Sequence, residues 1–338
     1  MKTCMRIPSG GVPAVKEAGC LRPLRFFRLA FFLGAVLAGL LLHTAPVYAT
    51  NESTNEFNLE TAQPLAEQGD AKAQFFMAKL YAKGDGVPKD FFKAVEYYRR
   101  SALQGYAKAQ NNLAAFYARG WGVTQDFSEA LKWFGKAAEQ GDPAAEYSLG
   151  LYNELGLGVA TNKAEALNWY QKAAGQNQPD AELALGNLYL LGDRDLALRV
   201  DLKKSVPWLE KAAAQGNASA CNSLGFIYES GGTGVEKNTN AAVKWYRQAA
   251  EGNDGKGQMN LGRLYLEGQT VPQDLIEAYK WFFLASRNGD GVSRHFMQGL
   301  RGEIPMDDFV RHPLTGEQIK EAVQRALDVE RAFKKPSQ

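Results

Sequence analysis

The chain has 338 residues, 45% hydrophobic and 22% charged, with a formal net charge of +2, values ordinary for a globular protein. Six of its Lys/Arg and one acidic residue fall in the first 49 positions, so the remainder carries −3 and offers no electrostatic footprint for nucleic acid. Of three cysteines only Cys221 lies beyond position 49, which excludes a disulfide framework there and leaves packing to hold the fold.

Arg22, Arg25 and Arg28 precede the apolar run LAFFLGAVLAGLLL (Leu29–Leu42), and VYA follows at 47–49. A basic flank, a short apolar core and a small-residue exit describe a secretory signal, with cleavage expected after Ala49. Fourteen apolar residues are short for a retained membrane anchor. Cys4 and Cys20 both precede the run, which argues against a lipoprotein anchor. Residues 50–60, TNESTNEFNLE, read as a polar, disordered leader.

From 61 to 290 the chain repeats itself. VEYYRRSALQGY (95–106), LKWFGKAAEQGD (131–142), LNWYQKAAGQNQ (167–178) and VKWYRQAAEGND (243–254) are variants of one string, and self-similarity at a fixed period marks a repeat architecture. Gly69, Gly105, Gly141, Asn177, Gly216 and Asn253 occupy one equivalent position in six units. Four residues on comes a small residue (Ala73, Ala109, Ala145, Ala181, Ala220, Gly257), taken here as position 0. A Leu-Gly pair such as Leu149-Gly150 or Leu224-Gly225 follows at positions 4 and 5, and an aromatic such as Tyr117 or Tyr228 at position 8. These positions share one face of a helix, helix A.

A glycine turn ending in Val then stops helix A: GDGV (84–87), GWGV (120–123), GLGV (156–159) and GTGV (232–235). Asp90, Asp126, Asn162, Asn238 and Asp274 lie where they cap a second helix, helix B. Helix B carries a small residue (Ala94, Ala130, Ala166, Ala242, Ala278) and, three residues later, Tyr97, Trp133, Trp169, Trp245 or Trp281, expected to fill the wedge between the helices. The fourth unit departs, with LGDRDLALRVDLKK (191–204) in place of the glycine turn. Neither helix buries its apolar face alone, so the hairpins must stack into an all-α solenoid of six units. Residues 291–338 are expected to form a loop and a C-terminal capping helix, with Thr315 and Gln318 at capping-box spacing.

The pattern A-x-x-x-L-G-x-x-Y-x-x-G-x-G-V-x-x-D-x-x-x-A-x-x-W-Y-x-x-A-A resembles the Sel1-like repeat family, relatives of the tetratricopeptide repeats. The resemblance implies a right-handed superhelix that serves as a protein-interaction scaffold, exported and periplasmic or secreted in bacterial members. It names no partner, because function lives in sites grafted onto folds.

The six copies can be compared with one another. On helix A, positions 2, 6 and 9 vary while 0, 4, 5 and 8 hold, and spacings of four and three put the variable ones on one stripe. By analogy with tetratricopeptide repeats the stripe faces a concave groove. Asn111, Tyr147, Leu151, Asn187, Asn222, Phe226 and Arg263 are then the candidate partner-binding residues. The competing reading of the stripe is packing between neighbouring hairpins.

Other chemistry has little support. Cysteine-rich relatives that bind or hydrolyse β-lactams carry paired cysteines, which this chain lacks. Cys221 stands where other units have Gln or Glu and reads as a structural thiol. His295, Asp307, Asp308 and His312 lack metal-motif spacing, so no metal or cofactor is expected. The expected function is a non-catalytic, exported scaffold that binds protein partners, with no nucleic acid and no membrane contact after signal removal. The alternative is an inhibitor or immunity-type protein that silences one enzyme or toxin.

Overall fold

A computed structural model of the chain describes residues 57–306 and 309–334. The expected signal segment lies outside the described residues, as does most of the expected leader. Within the described part of that stretch a helix begins at Leu59. Asn58 accepts from the Thr61 amide and Thr61 Oγ1 accepts from the Asn58 amide, a reciprocal box that starts the helix despite its polar surroundings.

Fifteen helices and no strand make up the described residues, an all-α solenoid. Helix α1 (Leu59–Glu67) stands before six hairpins: α2 and α3 (Ala71–Lys83, Phe91–Leu103), α4 and α5 (Ala107–Arg119, Phe127–Glu139), α6 and α7 (Pro143–Leu155, Lys163–Gly175), α8 and α9 (Pro179–Leu191, Leu202–Ala214), α10 and α11 (Ala218–Ser230, Thr239–Glu251), and α12 and α13 (Gly255–Glu267, Leu275–Arg287). Helices α14 (Gly291–Leu300) and α15 (Gly316–Lys334) follow.

Local chemistry fixes these boundaries. All five anticipated Asp/Asn caps accept a backbone N–H at the start of their B helices. Asp201 does the same for α9, so the fourth unit keeps its cap although its turn has changed. The equivalent Gly/Asn position between hairpins is left-handed in every unit, including Asn177 (φ 59°) and Asn253 (φ 63°). Asn is the side chain that best tolerates this region, which explains why it alone replaces Gly there.

The core of each hairpin differs from expectation in one respect. The fully enclosed wedge is the residue after the expected aromatic: Tyr98, Phe134, Tyr170, Leu209, Tyr246 and Phe282 are all at most 3% exposed. In four units it lies against the helix A glycine. A methyl on Gly150 would sit 2.6 Å from the Tyr170 ring, and one on Gly225 would sit 2.5 Å from Tyr246. In these four units glycine is thus what permits the approach, since a methyl would collide with the residue opposite. Trp169, Trp208 and Trp245 are half-buried at the hairpin edge. Lys172 lies 4.0 Å above the Trp169 ring and Lys211 4.5 Å above Trp208, an exposed cation–π pairing of modest energy. Trp133, more enclosed, donates its indole N–H to Glu129.

The C-terminal end is closed by packing. Leu266, Tyr279, Phe282, Met297, Leu300, Val310, Leu314 and Ala322 form one cluster shared by the last hairpin, α14 and α15. Thr315 and Gln318 exchange hydrogen bonds at the start of α15, and Arg325 reaches Glu277 on α13 at 2.9 Å.

The position of the wedge is testable by urea unfolding. Tyr170→Ala should destabilise by about 3–5 kcal/mol, the range for emptying a buried aromatic site. Trp169→Ala, at the half-exposed edge, should cost less than half as much. Equal losses would return the wedge to the tryptophan.

Candidate functional site

The variable stripe on the A helices is where the structure says most about function. Its members divide by environment. Asn111, Leu151 and Asn222 are buried, at 7%, 6% and 4% exposure, whereas Tyr147, Asn187, Phe226 and Arg263 are partly buried. None stands fully in solvent.

Burial arises because consecutive A helices use these side chains to reach each other. Asn260 on α12 donates to Asn222 Oδ1 on α10 at 2.8 Å, and Ser223 on α10 donates to Asn187 Oδ1 on α8 at 3.0 Å. Arg263 on α12 donates to Glu229 of the preceding unit at 2.8 Å and to Glu267, one turn along its own helix, at 2.9 Å. Burial alone would lower the guanidinium's proton affinity, but the two carboxylates hold it above its usual range. Arg263 is therefore a stitch between the fifth and sixth units, its charge already matched within the chain. Glu229 also accepts from the Tyr246 hydroxyl at 2.8 Å, and Glu154 plays the same part for Tyr170 at 2.6 Å. Position 9 thus satisfies the buried phenol of the wedge.

At the other members the wall is less completely spoken for. Tyr147 packs against Tyr170, ring centroids 5.7 Å apart, and burial together with Asp180 and Glu154 pushes its phenol well above the ordinary range, so it stays neutral. Asn111 Oδ1 has no hydrogen-bond partner; among the described residues it shares that condition with Glu182 Oε1. An unmatched buried acceptor forfeits about 1–3 kcal/mol, so Asn111 is a costly residue for this wall to keep.

Position 1, next to the stripe, went unread in the sequence. Gln74 donates to the Ala66 carbonyl on α1 and accepts from Gln104 at the end of α3, tying three helices together. Gln110 and Gln258 repeat the arrangement toward Ala102 and Ala250. Glu146 and Glu182 accept from Gln176 and Gln215 in the third and fourth units. In the fifth unit the pair becomes Cys221 and Gly252, and burial with nearby Asp254 pushes the thiol up. Cys221 is a protonated packing residue. The signal that could have found this joint is the recurrence of Gln or Glu at one position in five of the six copies.

The departed turn of the fourth unit is clamped rather than loose. Asp193 and Leu198 form an isolated bridge, and Lys163 of the third unit donates to Asp193 at 2.8 Å and Asp195 at 2.6 Å. Both hydrogen bonds raise the lysine's proton affinity. Burial would raise the Asp193 carboxyl, but Lys163 and two backbone amides pull it below the usual range. Among the described residues no group of three His, Cys, Asp or Glu is placed to hold a metal ion; Asp307 and Asp308 lie outside those residues. A small space lined by Lys163, Tyr170 and Asp193 sits beside that clamp and has no room for a ligand. No described helix is long and apolar enough to cross a membrane.

The Sel1 repeat family matches residues 71–106, 107–142, 143–178, 179–217, 218–254 and 255–290. The chain belongs to that family, whose solenoid is a protein-interaction scaffold fold. Among solved structures it is similar to a protective antigen of uropathogenic Escherichia coli displaying an SLR fold, at 32% identity and TM-score 0.62 over 80% of this chain; it spans only 56% of that antigen. A Sel1 repeat protein from Oxalobacter formigenes matches at 27% identity and TM-score 0.63, over 77% of this chain and 99% of that one. No curated protein matches the chain.

Arg263→Ala should leave Glu229 and Glu267 partly buried without their cation, and should destabilise by about 3 kcal/mol. Urea unfolding read by circular dichroism checks this; an unchanged midpoint would show that the ion pairs contribute nothing.

Proposed function

We propose that this chain is an exported adaptor of the bacterial envelope, cleaved after Ala49, which holds a segment of another protein along the wall formed by its A helices. The observation that carries the reading is the contrast between positions that repeat and positions that change. Positions 0, 4 and 5 keep their small and apolar residues because they pack the hairpins. The stripe offers Phe75, Asn111, Tyr147, Leu183, Asn222 and Met259 in successive units at position 2 alone. A surface needed only for stacking would gain nothing from such variety, whereas a surface read by one partner segment would.

Tyr147 and Phe226 are aromatic anchors of the kind that dominate interfaces. Asn111 and Asn187 bring amide groups suited to a peptide backbone. Since Arg263, Asn222 and the Asn187 oxygen are committed to neighbouring units, the gripping part of the stripe is narrower than the whole and centres on Asn111, Tyr147 and Phe226.

Asn111→Leu is the informative substitution, because it removes an unmatched acceptor without emptying space. Its melting temperature should equal or exceed that of the parent. In affinity capture from envelope extract quantified by mass spectrometry, it should recover at least tenfold less of whatever partner the parent enriches. Undiminished recovery by a fully folded variant would contradict the proposed wall. A single enzyme recovered at one-to-one stoichiometry and silenced by the parent would mark an inhibitor rather than an adaptor.

A further inference from the structure

Glu182 is fully buried, at 0% exposure, in the joint between the third and fourth hairpins. Three units show what that joint requires. Gln74, Gln110 and Gln258 each place a carbonyl oxygen toward a donor at the end of their own B helix and an amide nitrogen toward the backbone carbonyl eight residues earlier, at 3.1, 3.1 and 3.3 Å. Glu182 keeps the first half of this arrangement, Oε2 accepting from Gln215 at 2.7 Å. Its other oxygen, Oε1, is buried and has no partner, where the glutamines of the other units use the equivalent atom, their amide nitrogen, to donate. The carbonyl eight residues earlier is that of Ala174, at the end of α7. A carbonyl oxygen only accepts, and so does a carboxylate, whereas a carboxylic acid has one O–H to give.

We propose that Glu182 holds a proton at neutral pH and donates it to the Ala174 carbonyl, so that the joint between the third and fourth hairpins is a contact that loses its hydrogen bond when the proton leaves. Around the carboxyl, α9 contributes Gln215 and the lowering charge of Lys211. Helix α7 presents the Ala174 backbone, and Asp180 on α8 is occupied with Gln178 and Asn217. Burial raises the Glu182 carboxyl above its ordinary value, and Gln215 and Lys211 only partly offset this. The location matters because this unit also carries the altered turn clamped by Lys163. Proton loss at Glu182 would loosen the stack at its least regular rung while leaving the Gln joints elsewhere untouched.

The sign of the pH dependence follows. A carboxyl raised in the folded state withholds stability above its unfolded value of about 4.3 and restores it as pH falls. Glu182→Gln supplies the N–H permanently. In the full chain its melting temperature should match the parent near pH 4 and exceed it by a growing margin as pH rises, until the parent's proton is lost and the margin levels off. Infrared difference spectra at neutral pH should show a carboxylic-acid C=O stretch in the parent that the variant lacks. A margin independent of pH, a variant less stable than the parent at neutral pH, or an acid band that survives the substitution would each overturn the proposal. Failure of the variant to fold would do so too, because glutamine occupies this place in three other units.

Discussion

The structure depends on how closely the two helices of a hairpin can approach. Where Gly150, Gly186, Gly225 or Gly262 meets Tyr170, Leu209, Tyr246 or Phe282, a methyl on the glycine would lie 2.5–3.0 Å from the opposing side chain. Interiors packed to crystal-like density do not absorb such an intrusion without moving. The first two units use Ala78 and Ala114 at the same place, both fully buried, so small size is the rule and glycine its limiting case. The narrow hairpin lets the ring residue vanish from the surface. In the third, fourth and fifth units the tryptophan beside it lies half-buried at the edge, whereas Trp133 and Trp281 are themselves buried.

Stacking then follows from what each narrow hairpin leaves exposed. Position 1 ties an A helix to the preceding B helix and to the end of its own. The stripe at positions 2, 6 and 9 ties A helices to one another through Asn222–Asn260, Asn187–Ser223 and Arg263–Glu229. These are long-range contacts between neighbours only, so stability is assembled rung by rung, and the chain needs no disulfide to hold it.

Much of this was legible in the sequence. The six units, their helix boundaries, the Asp/Asn caps and the Gly/Asn hinge are local features, set by residues within four positions of one another. The joints were not legible, because their partners are distant: Gln104 lies 30 residues from Gln74, and Glu229 lies 34 from Arg263. Nothing local in the sequence therefore paired Arg263 with Glu229. Periodicity placed the stripe on one helical face but carried no information about how near the next A helix comes, so Asn111, Leu151 and Asn222 read as more open than they are. Trp and Tyr stand side by side on helix B, and composition alone cannot tell which of two adjacent aromatics points inward.

Gly225→Ala tests the central constraint most directly, with unfolding followed by native-state hydrogen exchange along the chain. If the glycine contact sets the hairpin, the added methyl should destabilise by about 1–3 kcal/mol, with the loss of protection centred on α10 and α11 and their immediate neighbours. A variant as stable as the parent, with protection unchanged in that hairpin, would contradict the account, because the helices would then stand far enough apart to admit a side chain.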